Sequence, residues 1–274
     1  MNCRLWKCAT LAACTAMMIL LIPGTPLMAL EELQVDFGVE ALRGEIHGHV
    51  QVPSGGEPGT TSSHRPTLRE LGIDDTGPGD FWVNVSHDPH GLYLGGRLIH
   101  LGSDSTLDRT LVSHGVTFPA GSRLDAEVKF DWYRMGYRYH LPLDWGAHTI
   151  DLYPSIGATF LDFRYRLESR GLGDTDRSYS KVGSQLGLGA NCPIKGNLSL
   201  FGQVFAPIPV PHWPSILSTQ AGLRYCFFER DDLCIAGLAG LDYDWVSYKD
   251  GQRVPNDIKA DVGPMGFIAL EVTF

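Results

Sequence analysis

The stretch "GFIALEVTF", residues 266–274, alternates up to Phe274. Ile268, Leu270, Val272 and Phe274 fall at two-residue steps on one face, and Ala269, Glu271 and Thr273 take the other. Successive side chains of a strand point to opposite sides, so the two faces of this segment meet two different media. Whether the apolar face meets a protein core or lipid decides the fold.

The same period recurs upstream. "LQVDFGVEA" sets Leu33, Val35, Phe37, Val39 and Ala41 against Gln34, Asp36, Gly38 and Glu40. "RLDAEVKFDW" sets Leu124, Ala126, Val128, Phe130 and Trp132 against Asp125, Glu127, Lys129 and Asp131. Near Tyr133 the phase slips, and Met135, Tyr137, Tyr139 and Leu141 then oppose Arg134, Gly136, Arg138 and His140. A slip of this kind predicts a β-bulge. About ten such segments follow one another, near 33–50, 80–87, 91–103, 122–142, 148–168, 179–193, 197–206, 216–228, 233–248 and 259–274.

Their connections alternate in length. Short ones lie near 87–91, 141–148, 192–197 and 229–233, and long ones near 51–79, 104–121, 169–178, 207–215 and 249–258. A soluble sandwich or lipocalin-like barrel puts its apolar faces inward and has no reason to gather its long loops at one end. A transmembrane barrel has short periplasmic turns and longer outer loops. The expectation is an all-β, antiparallel transmembrane β-barrel of about ten strands, with eight as the alternative, over residues 30–274. An even strand number places both termini on the periplasmic side of a bacterial outer membrane. In the long outer loop near 51–79, Thr67 and Glu70 of "TLRELGI" have capping-box spacing. They allow one helical turn over the barrel mouth, although an exposed mobile loop is the preferred reading.

Residues 1–29 read as a signal peptide. Arg4 and Lys7 precede an apolar run from Leu11 to Ile22, too short to span a bilayer, and Ala29 offers a cleavage position. An uncleaved anchor is one alternative, and "LAAC" ending at Cys14 has the form of a lipoprotein box. Cleavage takes the formal charge from −9 to −11 by removing Arg4 and Lys7. That balance argues against nucleic acid as a partner. The whole chain has 43% hydrophobic, 10% aromatic and 19% charged residues with 32 glycines, which favours a folded β protein over a disordered one.

With a signal, alternating strands, asymmetric loops and the terminal "VTF", the chain resembles small bacterial outer-membrane β-barrel proteins of the OmpA-transmembrane, OmpW-like and opacity-type groups. "GVTFPAGSRLD" and "DWYRMGYRY" also look like stretches seen in that class. The resemblance implies that Phe274, Val272, Leu270 and Ile268 form the assembly signal read by the barrel assembly machinery. It implies outer-membrane lipid as the surrounding partner and assigns no catalytic residues.

Candidate chemistry is sparse. Asp242 and Asp244 share a strand face, as a water-activating carboxylate pair would. Omptin-type proteases also resemble a ten-stranded barrel, but their acidic pair lies on an early strand, and no Asp-x-His follows in the matching place here. Paired with Arg134, Arg138 or Arg224, the two acids are ordinary lumen charges. A lipid hydrolase needs Ser and His on neighbouring strands. Ser113–His114 are sequential, and His140 and His148 lie near a periplasmic turn. His47 and His49 are two metal-capable residues where a site needs three or four. No enzyme activity, metal or cofactor is expected.

Arg134, Arg138, Arg224, Asp242, Asp244 and Glu271 are expected in a polar lumen, with Asp36, Arg97, Lys129, Asp131, Gln185 and Gln203. Cys226 and Cys234 flank a turn and form a disulfide if that turn centres on Arg230, with Cys192 as the competing partner. Tyr139, Trp145, Tyr225, Phe227 and Phe274 suit a periplasmic aromatic girdle, and Tyr165, Tyr179, Trp213 and Trp245 an outer one. Function is expected to be structural or surface-interacting, with an unidentified surface ligand. A narrow porin-like channel for small solutes is the first alternative and a barrel enzyme the second.

Overall fold

The computed structural model describes residues 33–50, 66–113, 116–146, 148–249 and 257–274. The signal segment 1–29, with Arg4, Lys7 and Cys14, lies outside them, as do His114 and the first part of the long loop.

The strands are β1 (Gln34–Val50), β2 (Asp75–Thr76), β3 (Gly79–His87), β4 (His90–Thr106), β5 (Leu111–Ser113), β6 (Val116–Phe118) and β7 (Arg123–Tyr139). They continue with β8 (Leu141–Trp145), β9 (His148–Ser169), β10 (Gly173–Lys195), β11 (Leu198–Pro207), β12 (Ser215–Arg230), β13 (Leu233–Lys249) and β14 (Asp257–Thr273). Ten of them close an antiparallel barrel in the order β1-β3-β4-β7-β9-β10-β11-β12-β13-β14, with β14 pairing back to β1. Closure leaves β14 no free edge, since it pairs with β13 on one side and β1 on the other. Asp36 stands opposite Thr273, and Val35 and Phe274 exchange backbone hydrogen bonds of 3.0 and 2.9 Å. Ile268, Leu270 and Phe274 face outward and are exposed.

One end carries the turns at 88–89, 196–197 and 231–232 and the chain end at Phe274. At the opposite end lie Val50 and Gly79, Thr106 and Arg123, Pro207 and Ser215, and Lys249 and Asp257, the strand ends that the longer connections join. The fifth connection there departs from expectation. Residues 169–178 are not a long loop: β9 and β10 pair as far as Ser169 and Gly173. Polar residues on both faces had hidden this strand extension.

The expected bulge at Tyr133 is absent. β7 pairs with β4 and β9 in unbroken register through that point. Leu124, Ala126, Val128, Phe130 and Trp132 point inward with Arg134 and Arg138, and what changes at Tyr133 is the surroundings. Below it the outer face carries Tyr133, Met135, Tyr137 and Tyr139; above it stand Asp131, Lys129, Glu127 and Asp125. Other strands invert at the same level. On β1, Phe37, Val39 and Ala41 give way to Arg43, Glu45 and His47; on β9, Ile156, Ala158 and Phe160 give way to Asp162, Arg164 and Arg166. The barrel therefore has an apolar outer belt at the end with short turns and a polar outer wall above it. From Leu152 to Phe160, at about 3.3 Å per residue and a tilt near 40°, the belt is about 20 Å tall, close to an outer-membrane band of ~25 Å. The register shifts lie elsewhere, at Pro193–Lys195, at Cys226–Phe228 and at Gly263–Pro264, where Gly263 adopts φ +113°.

The interior inverts in the opposite sense. Above the belt it is a packed apolar core that includes Ile46, Ile99, Phe130, Trp132, Phe163 and Val246. The loop segment after Pro66 closes it at the end away from the short turns. Thr67 and Glu70 form a reciprocal capping box, Thr67 N donating to Glu70 Oε2 at 2.9 Å and Glu70 N to Thr67 Oγ1 at 3.1 Å. The turn Arg69–Leu71 so fixed buries Leu68, Leu71 and Ile73 completely or nearly so. That part of the loop is docked, contrary to the preferred mobile reading, because its three apolar side chains fill the barrel end.

Candidate functional site

Within the belt the lumen is polar. A cavity of about 330 Å³ runs from Arg97 and Asp242 to the barrel end at Gln34, Asp36 and Thr273. Its ceiling is a buried charge cluster on β1, β3, β4, β7 and β13, with neutral partners from β11 and β12. The Arg97 Nε and Nη2 donate to Asp80 at 2.8 and 2.7 Å, and Nη1 and Nη2 donate to Asp242 at 2.6 and 3.0 Å. Asp244 also contacts Arg97. Arg134 donates to Ser218 at 2.6 Å and lies 3.7 Å from Asp244. Gln220 donates to Glu40 at 2.8 Å and accepts from Gln203 at 2.8 Å. A bidentate guanidinium matches two carboxylates at once, and burial strengthens the attraction. Trp132 lies against Arg97, 5.7 Å from its guanidinium, and separates the cluster from the apolar core.

Lower in the lumen, Arg224 donates to Glu271 at 2.7 Å and Trp82 Nε1 donates to the same carboxylate at 3.3 Å. Asp36 accepts from Gln34 at 3.0 Å and Thr273 at 2.9 Å. His140 pairs with Asp151 at 2.8 Å. Arg138 lies between aromatic faces, 5.2 Å from Tyr93 and 5.0 Å from Tyr153. Gln185 ties Thr159 to the Tyr93 hydroxyl at 2.7 and 2.9 Å. Inward glycines make room for these large groups. A Cβ at Gly189 would fall 2.0 Å from the Tyr153 ring, and one at Gly157 2.4 Å from the Tyr93 hydroxyl.

Arg134, Arg138, Arg224, Asp242, Asp244 and Glu271 all sit inside the barrel, as do Asp36, Arg97, Gln185 and Gln203. The carboxylates at 242 and 244 join Arg97 rather than Arg138 or Arg224. Lys129 and Asp131 do not belong to the lumen. They lie on the outer wall above the belt, where Lys129 bridges Asp131 at 3.0 Å and Asp162 at 2.6 Å. Partial burial would raise the Asp162 carboxyl; hydrogen bonds from Lys129 and Ser180 outweigh that and hold it below the ordinary range.

A disulfide joins Cys226 and Cys234, with Cα atoms 6.2 Å apart. The turn centres on Asp231 and Asp232 rather than Arg230, so the cysteines lie diagonally across the hairpin. Cys192 is free. His47 contacts Glu45 at 3.2 Å and His49 contacts Asp257 at 3.4 Å. Ser113 hydrogen-bonds Thr175 at 2.9 Å, and the His148 side chain lies outside the described residues. Tyr139, Trp145, Tyr225, Phe227 and Phe274 are exposed around the lower belt. Tyr165 and Tyr179 leave the expected outer girdle: both point inward, Tyr165 being fully buried and Tyr179 stacked near Phe163 and Tyr248.

A closed antiparallel barrel with an apolar outer belt and a polar lumen is the outer-membrane type of β-barrel. The chain matches no protein-family model and no curated protein. Among solved structures it is similar to the attachment invasion locus protein Ail of Yersinia pestis in complex with the heparin analogue sucrose octasulfate, at 10% identity and a TM-score of 0.39, over 89% of this chain and 99% of that one. It is also similar to the outer membrane protease OmpT of Escherichia coli, at 9% identity and a TM-score of 0.42, over 92% and 98% of the two chains.

Proposed function

We propose that the protein is an integral barrel of the bacterial outer membrane with a sealed lumen, acting as a structural or surface-interaction element and not as an enzyme or an open pore. One observation carries this reading. The outer half of the lumen is filled by an apolar core that Leu68, Leu71 and Ile73 close from above. A conducting path needs a continuous water-lined route, and a close-packed apolar core supplies none. Asp242 and Asp244 lie beneath that core and are held by Arg97, which favours structure over surface hydrolysis.

In this reading outer-membrane lipid surrounds the belt, the termini are periplasmic, and the assembly machinery reads the outward face of β14 from Ile268 to Phe274. Planar-bilayer recording tests the seal: the purified barrel is expected to insert without steady single-channel steps. Regular conductance steps would replace this reading with the narrow-channel one.

A further inference from the structure

We propose that the lumen cavity binds a small oxyanion, a carboxylate or a phosphate, on the Arg138 guanidinium between Tyr93 and Tyr153. The other lumen arginines have anionic or polar acceptors. Arg97 holds Asp80 and Asp242, Arg134 holds Ser218, and Arg224 holds Glu271. Arg138 makes no hydrogen bond or ion pair among the described residues, and its Nε is buried without an acceptor. What it has is two ring faces, at 5.2 and 5.0 Å, that hold the guanidinium plane while leaving its donors unused.

A buried donor without an acceptor is costly, and a guanidinium fork matches an oxyanion in two parallel hydrogen bonds. The wall is shaped around this group. A Cβ at Gly91 would lie 2.8 Å from Arg138 Cγ, and Gly189 leaves space for Tyr153. The nearby acids do not compete equally. Asp151 is paired with His140 and Glu271 with Arg224, whereas Asp36 has only the neutral donors Gln34 and Thr273. The cavity of about 330 Å³ admits a small solute. Entry from the periplasm rests on the membrane placement proposed above; binding itself does not.

The test is a titration of the folded chain in detergent micelles, following arginine Nε–Hε resonances. Succinate and inorganic phosphate are added separately, against chloride at matched ionic strength. A saturable shift of one arginine resonance is expected, absent in Arg138→Gln. Arg138→Lys, which keeps the charge and loses the fork, is expected to bind at least ~10-fold more weakly. Asp36→Asn is expected to bind more tightly, by removing a like charge. Saturation by succinate alone assigns carboxylates, and by phosphate alone, phosphates. No saturable response to either anion, or an equal response in folded Arg138→Gln, overturns the proposal. Should Arg138→Gln fail to fold, Asp36→Asn decides, and unchanged or weaker binding there also overturns it. Regular conductance steps would sink the sealed-barrel reading while leaving this one standing.

Discussion

Arg97 joins four strands of the barrel through side-chain contacts, from Asp80 on β3 to Asp242 and Asp244 on β13 and Glu40 on β1. Removing a buried charge while its partners stay ionised costs about 3–5 kcal/mol. Arg97→Met is expected to lose stability on that scale, read as a lower urea midpoint for the barrel in lipid vesicles. Adding Asp242→Asn to Arg97→Met is expected to recover part of the loss, since the two sites are directly coupled. An unchanged midpoint in the single variant would show that the cluster does not hold the barrel together. Alternation alone marked Asp242, Asp244 and Arg97 as inward-facing. Their partnership was not legible, because it depends on register summed around a closed ladder. Tyr93 and Tyr153 were not legible for a related reason: their cue is an inward glycine opposite them on the neighbouring strand, Gly136 or Gly189, and not anything in their own segments. Gly189→Ala is expected to displace the Tyr153 ring and cost about 1–3 kcal/mol in the same urea measurement.

At the scale of the strand, one alternation serves two environments. On β7 the inward set runs from Leu124 to Arg138 without a break, and its chemistry changes where the outer face leaves lipid. Period-2 patterning records which residues share a face, but not which medium that face meets. For that reason a change of medium was read as a change of phase at Tyr133. The bulge at Gly263–Pro264 shows the contrast, since there the inward residues do change from Ile258, Ala260 and Val262 to Met265 and Phe267. β10 gives the sharpest test of where the belt ends. Leu186 and Ser178 lie on the same outer face, the first 52% exposed within the belt and the second above it. An arginine facing the middle of the bilayer costs about 2–4 kcal/mol, and an exposed polar site tolerates change within about 0.5 kcal/mol. Leu186→Arg is therefore expected to lower the urea midpoint in vesicles while Ser178→Arg leaves it in place. Equal effects would mean that the belt does not end between them.

For the whole molecule, the two opposed inversions distinguish the two ends of the barrel. The end with short turns carries the belt, Gln34 and Phe274, and the other end stands above the belt as a wall with polar residues outside and apolar residues inside. The proposed periplasmic placement of the short-turn end would expose the β9–β10 hairpin to the medium and the β12–β13 turn to the periplasm. The period-2 pattern supplied the number of barrel strands. It did not reveal how far β9 and β10 extend, because a strand with water on one side and tyrosines or threonines on the other lacks strong contrast. Single cysteines at Ser178 and at Asp232, introduced with Cys192→Ser, separate the two sides. On intact cells a membrane-impermeant maleimide is expected to label Ser178→Cys and to spare Asp232→Cys until the outer membrane is permeabilised. The reverse pattern would invert the barrel, and labelling of both on intact cells would remove it from the membrane. Deleting Phe274 belongs to the same scale, since the outward face of β14 closes the ladder on β1. Loss of that residue is expected to lower the amount of heat-modifiable barrel recovered from the outer membrane without changing the labelling pattern of the molecules that do assemble.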